Sequence, residues 1–306
     1  MKKALIFVLS LALLLCACNA PIEPEHSNEE TSEVSSYYSD IIPPYEFENR
    51  VANNPKIHRS VLEESEKEIY DEFLPKVLTY TPYTVDFSES GISYDSFLKV
   101  NDAIMDDFPE TWLYYSETYE YDVDSCDEEG NPSVFYSGTA CYFTLRFTSE
   151  NIKNFDKNTV DQHIKRIYAR CVEIVSKMPD ELSVREKYLW LADKICELTE
   201  YSEEFEYLYA DGPLLYGKGM CQSYAFAYQW LCQTAGLWCI TCKGSGIGVA
   251  HAWNVVMLDD GHTYYMDLTW EDDSSAEKGK YYFMSYQDCI DTGHALDDGE
   301  WIATGP

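Results

Sequence analysis

The chain has 306 residues, 45% of them apolar, and a formal net charge of −32. It carries enough apolar material for one large domain or two small ones. So acidic a chain excludes nucleic acid and anionic membrane surfaces as direct partners.

Lys2 and Lys3 precede an apolar run from Ala4 to Leu15, and Cys16-Ala17-Cys18 follows. A short basic start, an apolar stretch and a small residue before the break read as an export signal. The run is too short to span a bilayer. LCAC is similar to a bacterial lipoprotein signal, in which a cysteine after a small residue is acylated. Cys18 fits, because Ala17 precedes it; Cys16 fits less well behind Leu15. Cleavage after Ala17 or Ala20 without lipidation is the simpler alternative. Residues 1–17 are therefore expected to be the signal. Residues 18–50, poor in aliphatics and rich in Glu, Ser and Pro, are expected to be a disordered acidic tether. The location implied is the outer face of a bacterial cell membrane, lipid-anchored and touching the membrane through the anchor alone. Nine cysteines remain, an odd number, so full pairing would leave one thiol free.

Helical spacing covers His58 to Thr79, with Pro75 a point of kinking or early termination. TYTPYTVDF alternates as a strand. Ser93 caps a second helix. Trp112–Tyr121 and Val134–Phe147 read as strands around DEEGNPS. Residues 51–149 thus form an N-terminal α+β region without a catalytic motif. Residues 150–306 follow as a second unit. It opens with a helix from Asn158 to Met178 and another from Ser183 to Thr199, where Glu186 completes a capping box.

The stretch YGKGMCQSYAFAY comes next. Gly217 and Gly219 allow tight backbone geometry before Cys221. A helix then runs to about Ala235, with Tyr224, Ala225, Tyr228, Leu231 and Cys232 on its buried side and Gly236 as its cap. Cys221 falls in the first turn, where unpaired N–H groups and the helix dipole favour a thiolate and an oxyanion. Taken alone, it is more readily a structural cysteine.

LWCITCK reads as a strand, Gly244 to Gly248 as a glycine-rich loop, HAWNVVML as a second strand and HTYYMDLTW as a third. A two-residue turn would put Asp267 on the face away from His251. A three-residue turn, Asp259-Asp260-Gly261, closes on Leu258–His262 and suits a left-handed glycine at its end. Asp267 then lies opposite Trp253, one diagonal from His251. On that register Asp267 orients His251, His251 takes the thiol proton, and Cys221 attacks an acyl carbon. The backbone N–H of Gln222 is a candidate oxyanion donor. Trp253 and Trp270 are candidate cleft walls, with structural packing at least as good an explanation. His262 and His294 are weaker candidate bases, lying in no motif. Cys239 and Cys242 have redox-motif spacing, but a strand points them to opposite faces. Glu271-Asp272-Asp273 reads as a solvated loop rather than a metal site.

GKGMCQSYAFAY, HAWNVV and YMDLTW resemble the cysteine, histidine and aspartate boxes of the transglutaminase-like superfamily, over about Val184 to Trp270. The resemblance implies a papain-like α+β core, with the cysteine helix packed on an antiparallel sheet. It implies thiol acyl transfer by Cys221, His251 and Asp267: hydrolysis or transamidation of peptide or protein amides, with cell-envelope peptides among the candidate substrates. No metal and no cofactor are expected; the calcium sites of animal transglutaminases have no counterpart here. A binding or scaffold module that keeps the fold without the activity is the alternative.

Overall fold

The computed structural model describes residues 3–7, 51, 54–127, 131–142, 157–204, 207–297 and 299–305. Cys16, Cys18 and the tether lie outside the described residues. The start of the apolar leader, Lys3–Phe7 (β1), is a strand paired antiparallel with Tyr115–Asp122 (β3). Among the described residues, no helix is long and apolar enough to cross a membrane.

A short helix at Ile57–Ser60 (α1) precedes Glu64–Leu78 (α2). The expected single helix from His58 is interrupted because Glu63 caps α2, in a box with Glu66. Pro75 stays inside α2. Tyr83–Asp86 (β2) alternates buried and exposed, as the sequence requires of a half-buried strand. Ser93 caps Tyr94–Asp107 (α3), its Oγ accepting from the Ser96 N–H at 3.0 Å. Trp112 lies in a 3-10 turn rather than in a strand, and β3 begins only at Tyr115. Phe135–Tyr142 (β4) completes an antiparallel sheet of order β1-β3-β4-β2.

Lys157–Val175 (α4) and Val184–Leu198 (α5) follow, with the Ser183–Glu186 box in place. Glu200–Tyr201 (β5) pairs in parallel with Lys218–Gly219 (β6). Cys221–Thr234 (α6) comes next. Cys239–Gly246 (β7), Val249–Met257 (β8) and Thr263–Met266 (β9) then join His294–Leu296 (β10) in an antiparallel sheet of order β10-β7-β8-β9. Two short helices, Leu268–Glu271 (α7) and Tyr286–Asp291 (α8), lie between β9 and β10. Gly244 and Gly246 are strand residues, so the expected glycine-rich loop shrinks to the turn Ile247–Gly248.

Every residue of α6 from Ser223 to Gln233 is buried, not one side alone. An all-round buried helix is a central one. It packs on β7 and β8, where Asn254 Nδ2 donates to the Ala225 carbonyl at 2.9 Å and Thr241 Oγ1 to Gln229 Oε1 at 2.7 Å. Its other sides meet α4, α5 and the N-terminal region. Phe226 stacks on Trp112 at 5.5 Å, and Gln229 and Gln233 donate to the carbonyls of Asp106 and Asp107. Residues from both halves of the chain, Phe73, Phe97 and Tyr115 with Ile164, Tyr188, Phe226 and Val256, form one apolar cluster. Each large side chain so buried contributes roughly 1.5–3 kcal/mol.

The opposite face of the second sheet has its own small cluster, including Cys242, Val255, Trp253, Tyr265 and Cys289. Cys239 belongs to the first cluster and Cys242 to the second, so alternation does set them on opposite faces. Cys126, Cys171, Cys196, Cys221, Cys232, Cys239, Cys242 and Cys289 are free thiols.

Candidate active site

The β8–β9 hairpin has the three-residue turn. Met257 pairs with Thr263, the Leu258 N–H donates to the His262 carbonyl at 3.0 Å, and Gly261 takes the left-handed conformation at φ 79°. Asn254 pairs with Met266, so Asp267 follows opposite Trp253. The third strand is shorter than expected, because Asp267 leaves it to cap α7. Its Oδ1 accepts from the N–H groups of Thr269 at 3.0 Å and Trp270 at 3.2 Å.

The other carboxylate oxygen faces His251. Nε2 of His251 lies 2.8 Å from Oδ2 of Asp267, whose side chain is 0% exposed. The Cys221 thiol is near enough to raise the pKa of the ring. Because Nε2 is committed to the carboxylate, Nδ1 is the nitrogen left for sulfur. Burial disfavours the charged ring. The hydrogen bond with Asp267, the nearby Cys221 thiol and the charges of both outweigh it and push the His251 pKa up to about 9. Burial also pushes the Asp267 carboxyl up, but the imidazoles that donate to it hold it below the usual carboxylate range.

Cys221 is the first residue of α6, partly exposed, after a left-handed Gly217 (φ 70°). A Cβ on Gly219 would meet Ser223 Oγ at 2.5 Å. Ser223 ties the turn, accepting from the Met220 N–H at 2.8 Å. Gln222 stands in the same first turn, where helix geometry supplies no partner for its N–H. Its side chain reaches back to the Leu208 carbonyl. Tyr201 pairs beside Gly219 and is half exposed; its partial burial and the charge of Cys221 push its phenol up.

Trp253 is not a cleft wall. It is 1% exposed, one residue pair further into the sheet, where it underlies His251 at 5.7 Å between ring centroids. The half-exposed Trp270 covers His251 instead, at 5.0 Å and 22°. Gly246 makes room for it, since a Cβ there would sit 2.5 Å from the indole and 3.2 Å from the His251 ring. In the acidic run after Trp270, Asp272 and Asp273 are exposed. Glu271 accepts from the N–H groups of Gly279 and Tyr281, and Asp272 from the Tyr224 hydroxyl at 2.8 Å.

His262 stays at the turn, away from this cluster. His294, ranked low in the sequence, is part of it. Its Nε2 lies 3.1 Å from the same Asp267 Oδ2, and its side chain is 0% exposed. The signal that could have found it is positional: β10 pairs His294 with Gly246 and so sets it on the face of His251. Two histidines and one carboxylate whose ligand atoms lie within 4.8 Å of one another form a donor set that suits a divalent metal. Both approaches to Asp267 have hydrogen-bond length and are accounted for by an N–H facing a carboxylate oxygen.

A groove of about 420 Å³ opens elsewhere, lined by Arg170, Ile174, Lys177, Trp190, Lys194, Glu197 and Leu198. Its three cations are paired with Glu173 or Glu197.

The chain matches no family model and no curated protein. It is similar in structure to a TGase at 15% identity and a TM-score of 0.35, over 53% of this chain and 48% of that one. It is also similar to a proposed cysteine protease of Cytophaga hutchinsonii at 15% identity and a TM-score of 0.32, over 57% and 59%. It spans less than two thirds of either.

Proposed function

We propose that the protein is a thiol enzyme of the transglutaminase-like kind that transfers acyl groups from peptide or protein amides. The observation that carries this reading is the hydrogen bond between His251 and the buried Asp267, with the Cys221 thiol near enough to raise the His251 pKa. Cys221 sulfur, its proton already held on His251 as the imidazolium, attacks the amide carbon. The oxyanion forms against the N–H groups of the first turn of α6, that of Gln222 among them. His251, steadied by Asp267, returns the proton to the amide nitrogen; the C–N bond breaks and the amine leaves. A thioester remains on Cys221. Water attacks it, His251 takes the water proton, and the C–S bond breaks to give the acid and the free thiol. An amine in place of water would give a new amide. The partly exposed thiol favours hydrolysis, because transamidation needs a site closed to water. The resemblance of the three boxes supports the same reading.

We further propose export and lipid anchoring at Cys18, resting on the leader sequence alone.

Incubation with cell-envelope peptides and a fluorescent amine tests the chemistry. Release of new peptide ends without amine uptake is expected, and both disappear in Cys221→Ala. Turnover that survives that substitution would sink the reading.

A further inference from the structure

We propose that His294 is a positioning residue for this site, pinning the Asp267 oxygen that orients His251. The inference rests on the functional reading above.

Asp267 Oδ2 has two imidazole neighbours, His251 at 2.8 Å and His294 at 3.1 Å. A carboxylate held below its usual range can only accept, so each Nε2 carries a proton. For His294 this holds in either charge state. In the neutral ring Nδ1 accepts from the Thr292 hydroxyl at 3.0 Å; in the charged ring it donates to the Cys289 carbonyl at 3.2 Å. Nε2–H points at Asp267 in both.

The consequence is geometric. Oδ1 is tied to the first turn of α7 by two N–H groups. Those bonds alone would let Oδ2 follow His251 if the ring swung toward the thiol. His294 comes from β10, on the far side of the sheet from β9, and fixes Oδ2 from a second direction. His294 is itself immobilised. Its ring lies 4.2 Å from Trp270 and 4.8 Å from Trp253, and its Nδ1 is held at the end of α8. Four donors from three elements therefore set the plane of one buried carboxylate. Misplacement of a catalytic group by about 1 Å costs on the order of 100-fold.

The test is the rate at which iodoacetamide alkylates Cys221, read by mass spectrometry against the partly exposed Cys126 and Cys196. His294→Phe keeps the ring packing and removes the donor; His294→Gln keeps an N–H at the position of Nε2. We expect His294→Phe to slow Cys221 by about tenfold or more. His294→Gln should restore most of the rate, although both lose the imidazole. A bystander role would lower thermal stability in both and separate neither rate. A phenylalanine variant as fast as wild type, or a glutamine variant as slow as phenylalanine, overturns the inference alone. A wild type whose Cys221 reacts no faster than Cys126 and Cys196 overturns the functional reading and the inference with it. Should the phenylalanine variant not fold, ¹⁵N-histidine spectra of the wild type decide: a hydrogen bond from His294 Nε2–H to Asp267 is expected, and a proton on Nδ1 alone overturns the proposal.

Discussion

His251 carries a pH dependence with a definite sign. Its pKa is raised from 6.5 to about 9, so the folded state binds the proton more tightly than the unfolded one. The stability this contributes is fully present below pH 6.5 and is lost as pH rises through about 9. In the proposed mechanism the same proton goes to the leaving amine, so kcat/KM should also fall through about pH 9. Urea unfolding of wild type and His251→Gln from pH 6 to 10 checks the first statement. The gap between the two proteins should close over that window, and a constant gap would refute it. Cys221, His251 and Asp267 were legible in the sequence because each sits in a local pattern: a helix start, a strand start and a hairpin register. His294 was not, because a histidine in DTGHALDD has no local pattern. Only the pairing of β10 with β7 brings it beside Asp267.

Among the elements, the β7–β8 hairpin carries a visible strain. Ile247 has φ 50° and Gly248 φ 77°, so both central residues of this two-residue turn are left-handed. Asparagine-glycine suits such a turn; a β-branched residue at the first position is disfavoured by about 1–2 kcal/mol. Ile247 is 78% exposed, so little burial offsets that cost. Ile247→Asn should stabilise the protein by about 1 kcal/mol and raise Tm by about 2–4 °C. Calorimetry decides it, and an unchanged or lower Tm would count against the backbone argument. The β8–β9 hairpin was readable because turn length and a terminal glycine dictate register. The β7–β8 turn was misread as a longer glycine-rich loop. Gly244 and Gly246 serve the strand there, and at Gly246 the absent side chain admits the indole of Trp270.

For the molecule as a whole, anchoring and folding make separate demands. β1 lies along β3, while cleavage before Cys18 would remove that strand and leave β3 as an edge. If Cys18 is acylated, Cys18→Ala should move the protein from the membrane fraction to the medium and abolish palmitate incorporation. Retention of the label by the variant would exclude this cysteine. The two regions read at residues 51–149 and 150–306 share one apolar cluster around α6, with Trp112 stacked on Phe226 and Lys243 paired with Asp106 at 2.9 Å. The N-terminal region thus buries the flank of the helix that presents the thiol.

What the sequence determined by itself was written in short-range physics. Helix caps at Ser93 and Ser183, the turn at Asp259–Gly261 and the placement of Cys221 at a helix start depend on neighbours a few residues away. The tertiary structure alone decided what depends on distant segments meeting. It buried Trp253 rather than exposing it, enclosed α6 on all sides, and set His294 on the same oxygen as His251. Alternation tells which face of a strand a side chain takes; it does not tell what the fold lays over that face.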